Sequence, residues 1–70
     1  MAKKNRHHRL PKSRGGSGHP ENISLVDPER HFLWHALFLN MNAEEIVEEI
    51  NRVWIDPQFQ MKCVRRRRRK

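Results

Sequence analysis

The chain has 70 residues, 33% of them charged, with a formal net charge of +7, one cysteine and no tyrosine. That is one small domain at most, Cys63 has no internal disulfide partner, and no apolar run approaches the ~20 residues of a membrane span. The first residues also lack the apolar stretch of a secretory signal, so the expected place is intracellular, in cytoplasm or nucleoid, or the nucleus of a eukaryotic host.

Residues 1–22 read as a flexible basic arm. Its first 19 residues carry Lys3, Lys4, Arg6, Arg9, Lys12 and Arg14 and no acid. Pro11, Gly15, Gly16, Gly18 and Pro20 punctuate it, and Leu10 is its only large aliphatic after Met1. Ordering such a segment costs roughly 1–2 kcal/mol of backbone entropy per residue, with little apolar burial to set against that.

Residues 23–64 read as the folded part. Asp27, Pro28 and Glu29 form a helix start: a capping carboxylate, a proline at the first helical position and an acid at the positive end of the dipole. The helix is expected over residues 28–39, apolar on nearly every side through Phe32, Leu33, Trp34, Ala36, Leu37, Phe38 and Leu39. That surplus predicts association with a second copy or another protein, with Phe32, Trp34 and Phe38 as the candidate partner contacts.

A second helix follows. Asn42 and Glu45 have capping-box spacing, and Ala43, Ile46, Val47, Ile50, Val53 and Trp54 then fall on one helical face. Glu44, Glu45, Glu48 and Glu49 line the opposite face, with Arg52 spaced to pair with Glu48. Residues 20–56 hold all eight acids against Arg30 and Arg52, a balance of −6. Asp56 and Pro57 repeat the start signal and predict a third helix, with Phe59, Cys63 and Val64 turned inward near its start. The expected fold is therefore all-α: a small two- to three-helix domain, arranged as a helix-turn-helix-like hairpin, between a disordered basic arm and a polyarginine tail at residues 65–70.

The stretch DPERHFLWHALFLNMNAEEIVEEI resembles the opening of helix-turn-helix domains of the LuxR and sigma-factor region 4 type. Pro28, Glu29 and Arg30 match the family's first-helix start, Glu44, Glu45 and Ile46 its second helix, and Asp56 and Pro57 the cap of its recognition helix. The resemblance covers residues 27–57 and implies DNA binding by a third helix in the major groove.

The tail carries the strongest chemical signal. Arg65, Arg66, Arg67, Arg68, Arg69 and Lys70 are consecutive, Lys62 precedes them, and no acid lies beyond Asp56. Guanidinium groups hold phosphates bidentately and stay charged at working pH. Together with the six cations of the first arm, these residues are the candidate nucleic-acid contacts, to duplex DNA or structured RNA. The functions that follow are a DNA-binding transcriptional regulator, a ribosomal or ribosome-associated RNA-binding protein, or a protein-interaction module using the apolar first helix and acidic second helix. Both tryptophans fall within predicted helices, which weighs against stacking on single strands. His31 and His35 are spaced to hold one ion, yet a structural zinc takes about four ligands and Cys63 is the one obvious third. With His7 and His8 on the arm, no metal or cofactor is expected. No catalytic constellation stands out either, so the expectation is a binding protein and not an enzyme.

Overall fold

The computed structural model describes residues 3–66. Arg67, Arg68, Arg69 and Lys70, on which part of the expected phosphate contact falls, lie outside the described residues.

The fold is mixed α/β, which corrects the all-α expectation. Strand β1, Asn5–His8, pairs antiparallel with β2, Ile23–Val26, in the register Asn5 to Val26, Arg6 to Leu25, His7 to Ser24 and His8 to Ile23. The first strand belongs to the segment expected to be a flexible arm. It contains no aliphatic residue, so no hydrophobic period announces it. What orders it is polar. Arg9 N donates to Asn22 O at 2.7 Å, extending the ladder. The Asn22 side chain then clamps the connecting loop. Its Oδ1 accepts from Leu10 N at 2.7 Å, and its Nδ2 donates to Leu10 O at 3.1 Å and to Ser17 O at 2.7 Å. One-turn 3₁₀ segments at Lys12–Arg14 and Pro20–Asn22 satisfy more of the loop's backbone. Gly16 is required where the loop folds on itself, since a Cβ there would lie 1.7 Å from Leu10 O.

Helix α1, Pro28–Phe38, starts as the sequence predicts, with Asp27 Oδ2 accepting from Arg30 N at 3.2 Å and proline at the first position. Helix α2, Ala43–Glu49, opens on a complete capping box: Asn42 Oδ1 accepts from Glu45 N, and Glu45 Oε1 from Asn42 N, both at 2.9 Å. The helix then widens into a π-turn, Ile50–Trp54. A π-turn adds residues per turn and shifts the phase of everything after it. Ile46, Val47 and Ile50 are accordingly half-buried, whereas Val53 and Trp54, expected on the same face, are 50% and 53% exposed. Arg52 pairs with Glu49 and not with Glu48.

The third helix is not formed among the described residues. Asp56 makes a turn, with Oδ1 accepting from Gln58 N and its carbonyl from Phe59 N, both at 2.9 Å. Asn51 then holds the next stretch extended: Met61 N donates to Asn51 Oδ1 at 2.8 Å, and Asn51 Nδ2 to Met61 O at 2.9 Å. A helix there would have to give up both bonds, and Phe59 and Val64, expected inward, are 70% and 81% exposed.

Phe38 is the one buried hydrophobic residue among those described, and Trp34 packs on it with ring centroids 4.5 Å apart. Of the three candidate partner contacts, Phe38 is buried, Trp34 half-buried and Phe32 exposed. Among the described residues no helix is long and apolar enough to cross a membrane.

Candidate metal centre

Helix pitch supplies two of the three ligands. His31 and His35 are one turn apart on one face of α1, with ring centroids 4.7 Å apart. The hairpin brings the third. Its His7 ring lies 5.1 Å from His31 and 5.7 Å from His35, edge-on to each. One ring nitrogen from each histidine lies within 4.8 Å of the other two. The sequence reading placed His7 on a loose arm and so missed this clustering of three histidines; the Asn22 side chain fixes the loop that carries His7.

The surrounding hydrogen bonds set which ring nitrogens carry protons. Leu39 O lies 3.1 Å from His35 Nδ1, and since a carbonyl only accepts, that nitrogen carries the proton and Nε2 presents a lone pair. His35 Nε2 in turn faces His31 Nε2 at 3.0 Å. Asn5 places its side-chain amide 3.1 Å from His31 Nδ1. With the NH2 toward the ring, His31 donates from Nε2 to His35. With the amide turned over, its oxygen accepts from Nδ1, and both Nε2 lone pairs face a common point. Asn5 and Leu39 are thus outer groups of the kind that fix the tautomer of a metal-binding histidine. Leu39 also holds φ at +50°, a strained value for a residue with a side chain, at the point where its carbonyl meets His35.

His7 fits the same picture. Its Nδ1 is buried without a hydrogen-bond partner, a costly arrangement unless something else uses the lone pair. Burial first, then the charges of His31, His35, His8 and Arg9, push its pKa below the ordinary 6.5. The ring is held neutral, the form that binds a metal. Three imidazoles suit zinc, copper, iron or nickel. Around a tetrahedral zinc with bonds of about 2.0–2.1 Å, neighbouring nitrogens sit ~3.3 Å apart. The 3.0 Å between His31 and His35 is a few tenths from that, while the His7 nitrogen lies within 4.8 Å of both.

Cys63, the third ligand the sequence suggested, is exposed and lines a different cleft. His19 caps the second 3₁₀ turn by accepting from Glu21 N at 3.3 Å and takes no part in the cluster.

A cleft of about 700 Å³ opens beside the histidines, with His7 and His31 in its wall, Arg9 and Arg30 as its cations, and Trp34, Val26 and Ile46 among its apolar lining. Of the described basic residues expected to contact nucleic acid, Arg9 alone reaches this cleft. Arg14, Arg65 and Arg66 meet along a second cleft of about 660 Å³ at the start of α2, where Arg14 is already paired with Glu45 at 2.8 Å. Lys3, Lys4, Arg6, Lys12 and Lys62 are exposed and line neither cleft. Comparison with family models, curated proteins and solved structures returns no match to this chain.

Proposed function

We propose that this chain is a nucleic-acid-binding protein that holds a divalent metal ion at His7, His31 and His35 and uses it to hydrolyse phosphodiester bonds. The observation that carries the reading is the meeting of His7 with His31 and His35 beside two arginines. Structural zinc sites are closed by four protein ligands, whereas three histidines leave a coordination position for water or substrate. Held by His7, His31 and His35, such an ion would supply Lewis-acid chemistry, polarising a phosphoryl oxygen and lowering the pKa of a coordinated water toward neutrality. Arg9 and Arg30 supply the charge that holds a phosphate close and steadies the developing negative charge. The basic residues of both ends add affinity along the backbone without reading sequence. A nucleic-acid partner goes with an intracellular place, in cytoplasm or nucleoid.

Calorimetric titration with zinc, manganese and nickel tests the first half, and incubation with labelled DNA and RNA oligonucleotides, with and without chelator, tests the second. The expected result is one ion per chain, lost in His31→Ala and His35→Ala, and cleavage that chelator stops. Binding of nucleic acid without cleavage would instead favour a regulator or a ribosome-associated protein. No metal uptake at all would overturn the reading.

A second reading has its own observation. Phe32 is 73% exposed on α1, beside exposed Leu33, Leu37 and Leu39. That face fits association with a second copy of the chain, and it is compatible with the metal centre.

A further inference from the structure

We infer that the cleft beside the three histidines receives the base of one splayed-out nucleotide, so that the ligand of this protein is single-stranded nucleic acid. The inference deepens the reading of the site as a phosphodiester-binding metal centre and rests on it.

Three features of the cleft point the same way. Its volume, about 700 Å³, is that of a site for one small molecule. A stacked base pair within a duplex cannot enter such a space, but an unstacked base can. The lining pairs the two halves of a nucleotide. Trp34, Val26 and Ile46 offer apolar and aromatic surface, while Arg9, Arg30 and the His7 and His31 rings offer what a phosphate seeks. Trp34 is also held in place beforehand. It packs on Phe38 at 4.5 Å and meets the edge of His7 at 5.9 Å, so little side-chain freedom remains to be lost on stacking. The Glu21 carboxylate and the Ser24 hydroxyl, also in the lining, suit the donor and acceptor edges of a base; Glu21 repels a phosphate and so favours the base on its side.

A tryptophan within a helix is usually a core residue, which is why the sequence weighed against single strands. Here Trp34 is half-buried and part of it lines the cleft. The cleft is lined by residues of β1, β2, α1 and α2, from His7 to Ile46, and no local pattern announces it.

The test uses the full chain, with and without zinc, and six probes: inorganic phosphate, adenosine, adenosine 5′-monophosphate, a single-stranded octanucleotide, its abasic counterpart, and the octanucleotide annealed to its complement. A base in the cleft makes the monophosphate bind more tightly than inorganic phosphate and the natural strand more tightly than the abasic one, by roughly 5- to 150-fold. The duplex binds less tightly than the single strand. Ala43→Phe, which fills the cleft from the exposed first position of α2, brings the natural strand down to the abasic level. It leaves zinc stoichiometry where it was, which also shows that the variant is folded. Equal affinity for natural and abasic strands, or tighter binding of the duplex, overturns the inference and leaves the metal centre standing. Loss of zinc and phosphate binding in the wild-type chain, with adenosine still bound, overturns the metal reading and leaves the cleft.

Discussion

His7 and His31 meet edge to face across the hairpin–helix junction, ring centroids 5.1 Å apart with an interplanar angle of 78°. One comes from a strand with no aliphatic residue and the other from an apolar helix. Their contact couples the two halves of the fold, because whatever pulls His7 away from α1 also opens the hairpin. A metal ion held at this junction would therefore stabilise the fold by mass action, in proportion to its occupancy.

That coupling gives stability a pH dependence of known sign. Burial and the neighbouring cationic groups hold the pKa of His7 below its ordinary 6.5 in the folded chain, so the unfolded chain binds the proton more readily. The contribution is fully present above pH 6.5 and is lost as pH falls from there through the folded value. Thermal melts of the metal-free protein are expected to fall across this window, and His7→Gln is expected to flatten the dependence. Glu45 adds a separate acid limb, because the Asn42 backbone N–H first, and then Arg14, hold its carboxyl below the ordinary 4.5. That limb lies below pH 4.5 and persists in His7→Gln. A melt that rises as pH drops from 7 to 5 contradicts the assignment.

Asn22 is expected to matter more than any other polar side chain. Asn22→Ala removes three hydrogen bonds, to Leu10 N, Leu10 O and Ser17 O. At ~1 kcal/mol net for each, the loss is about 3 kcal/mol by urea denaturation, a large share of what so small a domain has. Zinc affinity should fall with it, since the clamp sets the position of His7. Gly16→Ala should act the same way, because its Cβ must displace the Leu10 carbonyl. If Asn22→Ala melts like wild type, the hairpin is held by something else.

The caps of α1 and α2 were legible in the sequence because each is local: Asp27 and Asn42 satisfy an N–H three residues on. The same Asp-Pro signal misled at Asp56, whose carboxylate is satisfied by the Gln58 N–H in a simple turn. Strand β1 was illegible for a different reason. Its order comes from Asn22, 12 positions beyond Leu10, and from ring contacts with α1, none of which has a period. The metal centre was hidden with it. His31 and His35 were read as spaced for one ion, but the missing ligand lay in a segment whose composition reads as arm. The one signal available was that segment's paired histidines, His7 and His8, followed by an asparagine able to close a loop.

The basic tail makes a prediction that separates backbone contact from base contact. Removing residues 65–70 should weaken binding to every sequence alike. If each of the six cations neutralises one phosphate, the log–log salt slope loses about 4 units on a single strand and about 5 on a duplex. Arg14→Ala should change the slope less than any one tail arginine, since its guanidinium is already paired with Glu45. An unchanged slope after truncation means the tail does not touch the backbone.

The exposed face of α1 makes the last prediction. Phe32, Leu33, Leu37 and Leu39 stay open to solvent after the hairpin and α2 have packed, and Phe38 is the one buried hydrophobic residue among those described. A monomer rarely leaves so much of a helix uncovered. Two copies meeting through α1 would extend the core across the interface, and a two-fold axis there would place two metal centres and two sets of basic ends in one particle. Sedimentation equilibrium at micromolar concentration is expected to give the dimer mass, and Phe32→Glu the monomer mass, because a carboxylate at the centre of the contact cannot be desolvated without a partner. The zinc stoichiometry per chain should be the same in both, since Phe32 is not one of the three clustered histidines. A monomer mass for the wild type at every concentration, with no binding of an apolar-surface dye, removes the dimer and implies that the basic ends cover α1.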